Sequence, residues 1–163
     1  IAAHVTRMGH RPMKFAIDVA MSGALGVDMD VRKLSPDERQ FLASAVALYK
    51  ERIRDLVQQG DLYRLESPYD GPRAALNYVS ADRSRAVLFV YQLKPGAAGA
   101  VKLSGLAPQL RYRIRQLNLP PGATSQLPQH DTTIAGDALM QDGLTPSCTA
   151  ECSSVIVELS QVP

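Results

Sequence analysis

The hydrophobic period of this chain changes once, at Gly60, and that change limits its architecture more than any other feature. Before Gly60, apolar residues recur every three or four positions. Leu42, Ala45, Val46, Tyr49, Ile53, Leu56 and Val57 form one stripe, with Lys50, Glu51, Arg54 and Asp55 opposite, the pattern of a helix that buries one face. After Gly60 the period is two. Residues 62–65, 74–79 and 86–93 read as strands, separated by Ser67-Pro68-Tyr69-Asp70-Gly71-Pro72 and Ala81-Asp82-Arg83-Ser84, whose residue types favour turns. Helices followed by hairpin-linked strands imply an α+β chain with an antiparallel sheet.

The long helix carries an explicit start. Ser35 stands as N-cap, Pro36 occupies the first helical position and Glu38 completes a capping box, while Asp37 and Glu38 meet the positive end of the helix dipole. Gly60 is its expected stop. Upstream, Pro12 precedes Met13, Phe15, Ala16, Val19 and Ala20 at helical spacing until Gly23, which predicts a short helix. Residues 25–31 alternate from Val27 onward and predict a strand. Helix, strand and helix in succession suggest a β/α repeat.

In the second half, residues 101–103 and 110–115 extend the strand series, the latter with Arg111, Arg113 and Arg115 on one face. Residues 118–129 carry Pro120, Pro121, Gly122 and Pro128 and read as a loop. Residues 153–159 form the last strand. The continuous apolar run Val155-Ile156-Val157 places it in the middle of the sheet, where both faces are covered.

Composition excludes several classes. Eighteen basic against sixteen acidic residues, with no basic run, leave no nucleic-acid footprint. No apolar stretch approaches the ~20 residues of a membrane span. With 45% hydrophobic residues in 163, the chain builds its core without staples. Ile1 begins inside an apolar run, so a cut end is expected and the compartment stays open. Cys148 and Cys152 lack the further Cys or His pair that zinc requires. A local disulfide, which would favour an exported parent, and two packed thiols both remain open for them. No cofactor or metal site is expected.

Three segments resemble family 36 glycoside hydrolases. His4-Val5-Thr6, then Ala20-Met21-Ser22-Gly23-Ala24-Leu25-Gly26 through Asp30 and the Leu34-Ser35-Pro36 helix entry, are similar to that family's HVS, AM-x-G-x-LG-x-x-x-D and LS-x-E-E stretches. Tyr49-Lys50-Glu51 and Gly60-Asp61-Leu62-Tyr63-Arg64-Leu65-Glu66-Ser67-Pro68 resemble its YKE helix and G-D-x-Y-R-L-x-S-P strand. Gly136-Asp137-Ala138-Leu139-Met140-Gln141-Asp142-Gly143-Leu144 is similar to its G-x-x-LM-x-x-GL ending. The resemblance implies that residues 1–59 are the end of a TIM (β/α)8 barrel: the end of strand seven, a helix, strand eight and the closing helix. Residues 60–163 would then be an antiparallel, β-sandwich-like C-terminal domain. The parent would be a retaining α-galactosidase or a related α-glycosidase such as an α-N-acetylgalactosaminidase. Where many members have a PNHQTGR-like loop, this chain has Met8-Gly9-His10-Arg11-Pro12, which bears on specificity.

Retaining glycosidases use two carboxylates about 5–5.5 Å apart. The family motifs that supply them, K-W-D-x-N-R and a Cys/Gly-rich segment followed by an aspartate, do not occur in this sequence. The catalytic pair is therefore expected upstream of Ile1, and the chain itself is expected to be inactive and structural. Barrel sites lie at the C-terminal ends of the strands, which makes His10 and Arg11 the substrate-rim candidates. Asp28 and Asp30, on one predicted strand face, suit structural anchors. His130-Asp131 with Ser125 and Ser147 lacks a nucleophile elbow. The partner expected for the parent is an α-galactoside. The alternative is a carbohydrate-binding or assembly module, for which Tyr63, Tyr69, Tyr78, Phe89, Tyr91 and Tyr112 are the available aromatics and homo-oligomer contacts the more economical role.

Overall fold

Helix α2 (Pro36–Leu48) begins where its capping signal stands. The Ser35 hydroxyl accepts from the Glu38 amide at 3.2 Å, and the Glu38 carboxylate accepts from the Ser35 amide at 2.7 Å, satisfying two of the donors left over at a helix start. The helix runs on through a π-turn (Tyr49–Ile53) into α3 (Arg54–Gln59). Leu42, Ala45, Tyr49, Ile53 and Leu56 make its buried stripe. Gly60 ends it by a different device from the left-handed stop expected. Its φ is −80°, and a Cβ there would lie 2.6 Å from the Leu56 carbonyl oxygen and 2.8 Å from that of Val79. Close approach of the strand above, rather than backbone hand, requires the glycine.

The computed structural model describes residues 2–6, 9, 11–97 and 99–162. Strand β1 (Ala2–Val5), helix α1 (Met13–Met21) and β2 (Ala24–Val27) form a β-α-β unit whose strands pair in parallel from Ala2↔Ala24 to Val5↔Val27. The strand predicted to reach residue 31 stops at Val27. The Asp28 amide makes one last bond to Val5, and Asp30 then caps a 3-10 turn at Val31–Lys33. The face of α1 is also rotated from expectation. Phe15, Ile17, Asp18, Ala20 and Met21 are buried, whereas Val19 is 40% exposed. The helix is packed by the parallel pair on one side and by the large sheet on another, so spacing alone misplaces the buried face.

That sheet has six antiparallel strands: β3 (Asp61–Glu66), β4 (Arg73–Val79), β5 (Arg85–Gln92), β6 (Arg111–Leu117), β7 (Thr133–Ala135) and β8 (Ser153–Gln161). Their order is β3-β4-β5-β8-β6-β7, so the last strand is central, as its apolar run requires. It pairs with β5 from Ser153↔Gln92 to Ser160↔Arg85 and with β6 from Ile156↔Leu117 to Gln161↔Tyr112.

The sheet separates two cores. On the helix side, Tyr78, Val87, Phe89, Tyr91, Leu117 and Ile156 pack with Phe15, Ile17, Met21, Leu42, Tyr49, Ile53 and Leu56. On the far side, Leu88, Val90, Tyr112, Ile114, Val155, Val157 and Leu159 meet Val101, Leu103, Leu106, Leu127, Leu139, Leu144 and Cys148. Among the described residues, no second sheet completes a sandwich. The covering layer is chain without regular structure together with helix α4 (Gly136–Gln141). The strand expected at 101–103 is a single bridge, Val101↔Leu144, and the Leu103 amide bonds Leu139 of α4 instead. Gly143, at φ +80°, permits this approach, since a Cβ there would stand 2.3 Å from the Val101 carbonyl oxygen. The short elements β7 and α4 were not predicted.

Candidate functional site

A parallel β-α-β unit presents its binding edge at the C-terminal ends of its strands. Here the described part of that edge is Thr6, Gly9 and Arg11 before α1, with residues 28–34 after β2. Arg11 is exposed on the turn before Pro12; His10 lies outside the described residues. Asp30 is committed locally. It accepts from the Arg32 amide at 3.1 Å, Nε at 2.8 Å and Nη2 at 3.1 Å, and these bonds hold its carboxyl below the usual range. Asp28 is exposed beyond the strand end. The two aspartates therefore do not share a strand face.

The two sides of the parallel pair differ. Ala3, Val5 and Leu25 pack into the helix-side core. By strand alternation Ala2, His4, Ala24 and Gly26 occupy the opposite side. His4 and Gly26 are register partners, and the imidazole lies over the bare glycine: a Cβ on Gly26 would come within 3.0 Å of His4 Cδ2 and 3.1 Å of Nε2.

The remaining candidates resolve as structural groups. His130 Nδ1 accepts from the Gln116 amide at 2.9 Å, and its Nε2 lies 3.3 Å from Asp131 Oδ2. The Ser125 hydroxyl donates to Gln116 Oε1 at 2.7 Å, so serine and histidine are engaged separately. Arg113 pairs with Asp131 at 3.2 Å and keeps that carboxyl low. Arg111, Arg113 and Arg115 are exposed while Tyr112 and Ile114 are buried, as the alternation predicted. The cysteines are free thiols. Cys148 belongs to the far-side core, with its Sγ 3.0 Å from Ser153 Oγ, and Cys152 packs on the helix-side core, so the disulfide is not formed. Burial pushes the Cys148 thiol up. The aromatics form no platform: Tyr78, Phe89, Tyr91 and Tyr112 are buried, and Tyr69 stands alone at 96% exposure.

Two buried acids were missed in the sequence. Asp18 is fully buried on α1. It accepts from Lys14, from Ser154 Oγ at 2.7 Å and from Asn118 Nδ2 at 2.6 Å, while Lys14 also donates to the Ser154 carbonyl at 3.0 Å. Burial pushes its carboxyl up against the pull of these donors. The available signal was the Lys14/Asp18 spacing of four inside an apolar helix. Glu158 on β8 accepts from Arg52 Nη1 at 3.0 Å and lies 3.9 Å from Arg85 Nη2. Arg52 belongs to the π-turn, so this pair joins helix to sheet as Asp18 does.

The architecture is that of an antiparallel β sheet clamped onto a β-α-β-α unit by the Arg52–Glu158 ion pair and by the hydrogen bonds that Asp18 accepts from Asn118 and Ser154. The chain matches the model of the glycosyl hydrolase family 36 C-terminal domain over residues 73–159, more than half its length. It is 40% identical to α-galactosidase AgaA of Geobacillus stearothermophilus over 107 residues, 64% of this chain and 14% of that protein. It is 33% identical to α-galactosidase C of Emericella nidulans over 156 residues, 92% of this chain and 18% of that protein. The crystal structure of the family 36 α-galactosidase AgaB from Geobacillus stearothermophilus superposes with a TM-score of 0.83 at 33% identity, covering 99% of this chain and 22% of AgaB. The chain belongs to glycoside hydrolase family 36, as its C-terminal part. It spans less than a quarter of the length of these relatives.

Proposed function

We propose that this chain is the non-catalytic end of a retaining α-galactosidase that hydrolyses terminal α-galactosides. In this reading, residues 1–59 close a (β/α)8 barrel and residues 60–163 form the C-terminal β domain that buttresses it. The observation that carries the proposal is the fold correspondence over 99% of the chain to AgaB. Substituted variants of AgaA, similar over 99% of this chain, have crystal structures in complex with raffinose and with stachyose, which supports an α-galactoside as substrate. The parallel pairing of β1 with β2 around α1, with α2 and α3 packed behind, supports the barrel end. A two-stranded parallel sheet leaves its ladder open on both outer edges, as a segment of a larger parallel sheet would.

The catalytic carboxylates then belong to parts of the parent outside this chain, and Arg11 stands on the rim. An α-N-acetylgalactosaminidase would share every feature here and differ in the pocket. The test is hydrolysis of an aryl α-galactoside. The full-length parent should turn it over and residues 1–163 should not. Turnover by the isolated chain, or an inert parent, would overturn the proposal.

A further inference from the structure

The side of the parallel pair turned away from the helices is made of Ala2, His4, Ala24 and Gly26. Barrel interiors are normally filled in layers by bulky branched side chains. Here three of the four positions carry a methyl group or nothing, and the fourth is an imidazole. Such a face contributes little to filling a barrel and presents one polar ring on it. His4 is one residue from the C-terminal end of β1, the end at which barrel sites lie. The ring rests on the Gly26 backbone at a separation that a Cβ would allow only if the ring moved by a few tenths of an ångström.

We propose that His4 is a substrate-positioning residue of the parent enzyme. Its imidazole lines the sugar pocket from the inner face of β1 and hydrogen-bonds a hydroxyl of the bound galactosyl unit, and Gly26 is the seat that sets the ring's height. This rests on the barrel reading above, which supplies the inside on which His4 stands. No bond is made or broken by His4, so its contribution is placement, to which rates are sensitive at the ångström scale.

The test uses the full-length parent. His4→Ala should lower kcat/KM for an aryl α-galactoside by about a hundredfold, and inhibition by free galactose should weaken about tenfold, the loss of one polar contact. His4→Gln, which keeps a donor and an acceptor, should recover part of both. Gly26→Ala, which only lifts the ring, should cost about tenfold in kcat/KM. Galactose affinity is the readout that a merely structural histidine would not move. Activity within twofold of wild type in His4→Ala, or lost activity with unchanged galactose inhibition, overturns the proposal while leaving the α-galactosidase reading intact. If His4→Ala does not fold, unchanged kinetics in His4→Gln and Gly26→Ala overturn it. A wild-type parent without α-galactosidase activity removes the function and this inference with it.

Discussion

The two faces of the six-stranded sheet are held by different physics. The far face is almost dry. Leu88, Val90, Ile114, Val155, Val157 and Leu159 meet leucines and valines of the covering chain, and the stabilisation there is the area removed from water, about 25 cal/mol per Å². The helix face has an apolar centre of comparable quality but is pinned by two buried acids: Asp18 of α1, beside Lys14, takes hydrogen bonds from Asn118 and Ser154, and Glu158 of β8 pairs with Arg52 of the π-turn. Ion pairs of this kind stabilise little compared with an apolar replacement, yet they are costly to break and fix one arrangement. The difference teaches where the molecule needs strength and where it needs register. The far face closes a single domain. The helix face joins the large sheet to the β-α-β unit and fixes how the two meet.

Variants can break that contrast. Asp18→Ala should have the largest effect, because it strands the Lys14 ammonium and two further donors; a loss of about 3–5 kcal/mol in urea unfolding is expected. A cost under 1 kcal/mol would mean the helix face is held by apolar packing alone. Leu88→Ala on the dry face should cost about 3 kcal/mol through lost transfer and a residual cavity. Gly143→Ala should follow at about 2 kcal/mol, since it places a Cβ at positive φ against the Val101 carbonyl. Ser35→Ala, which removes the cap but touches neither face, should cost about 1 kcal/mol by the same measurement.

The smallest test reads charge directly. Burial raises the folded pKa of Asp18 above the ordinary 3.8. Its linkage contribution is therefore complete below that value and lost as pH rises through the raised one. Asp82, in the β4–β5 turn, accepts from the Ser80 hydroxyl and from the Ser84 amide and hydroxyl, and is lowered to about 2. Its contribution is present above 3.8 and lost as pH falls toward about 2. Carboxyl-carbon NMR titration should find the two aspartates shifted in opposite directions. Coincident titration curves would contradict the burial of Asp18.

The sequence was most legible where the cause is local. The Ser35 capping box, the switch of period at Gly60, the β4–β5 turn and the alternation of Arg111, Arg113 and Arg115 all depend on neighbours within a few residues. The central place of β8 followed from its apolar run. The remainder depends on what meets what across the chain. Val101 to Leu103 has the composition of a strand but is taken by Leu144 and α4. Asp18 is an acid that any helical wheel would place in water, and its partners Asn118 and Ser154 lie 100 and 136 residues away along the chain. For candidate site residues, resemblance directed attention to His10 and Arg11, whereas the juxtaposition of His4 and Gly26 required the register of two strands separated by a helix.

The most direct test of the central claim is proton NMR of the first sugar released from an aryl α-galactoside, with the full-length parent and residues 1–163 run side by side at equal molar amounts. The account predicts α-galactose as the first product of the parent and no release by the chain alone. β-Galactose as the first product, or turnover by residues 1–163, would contradict it.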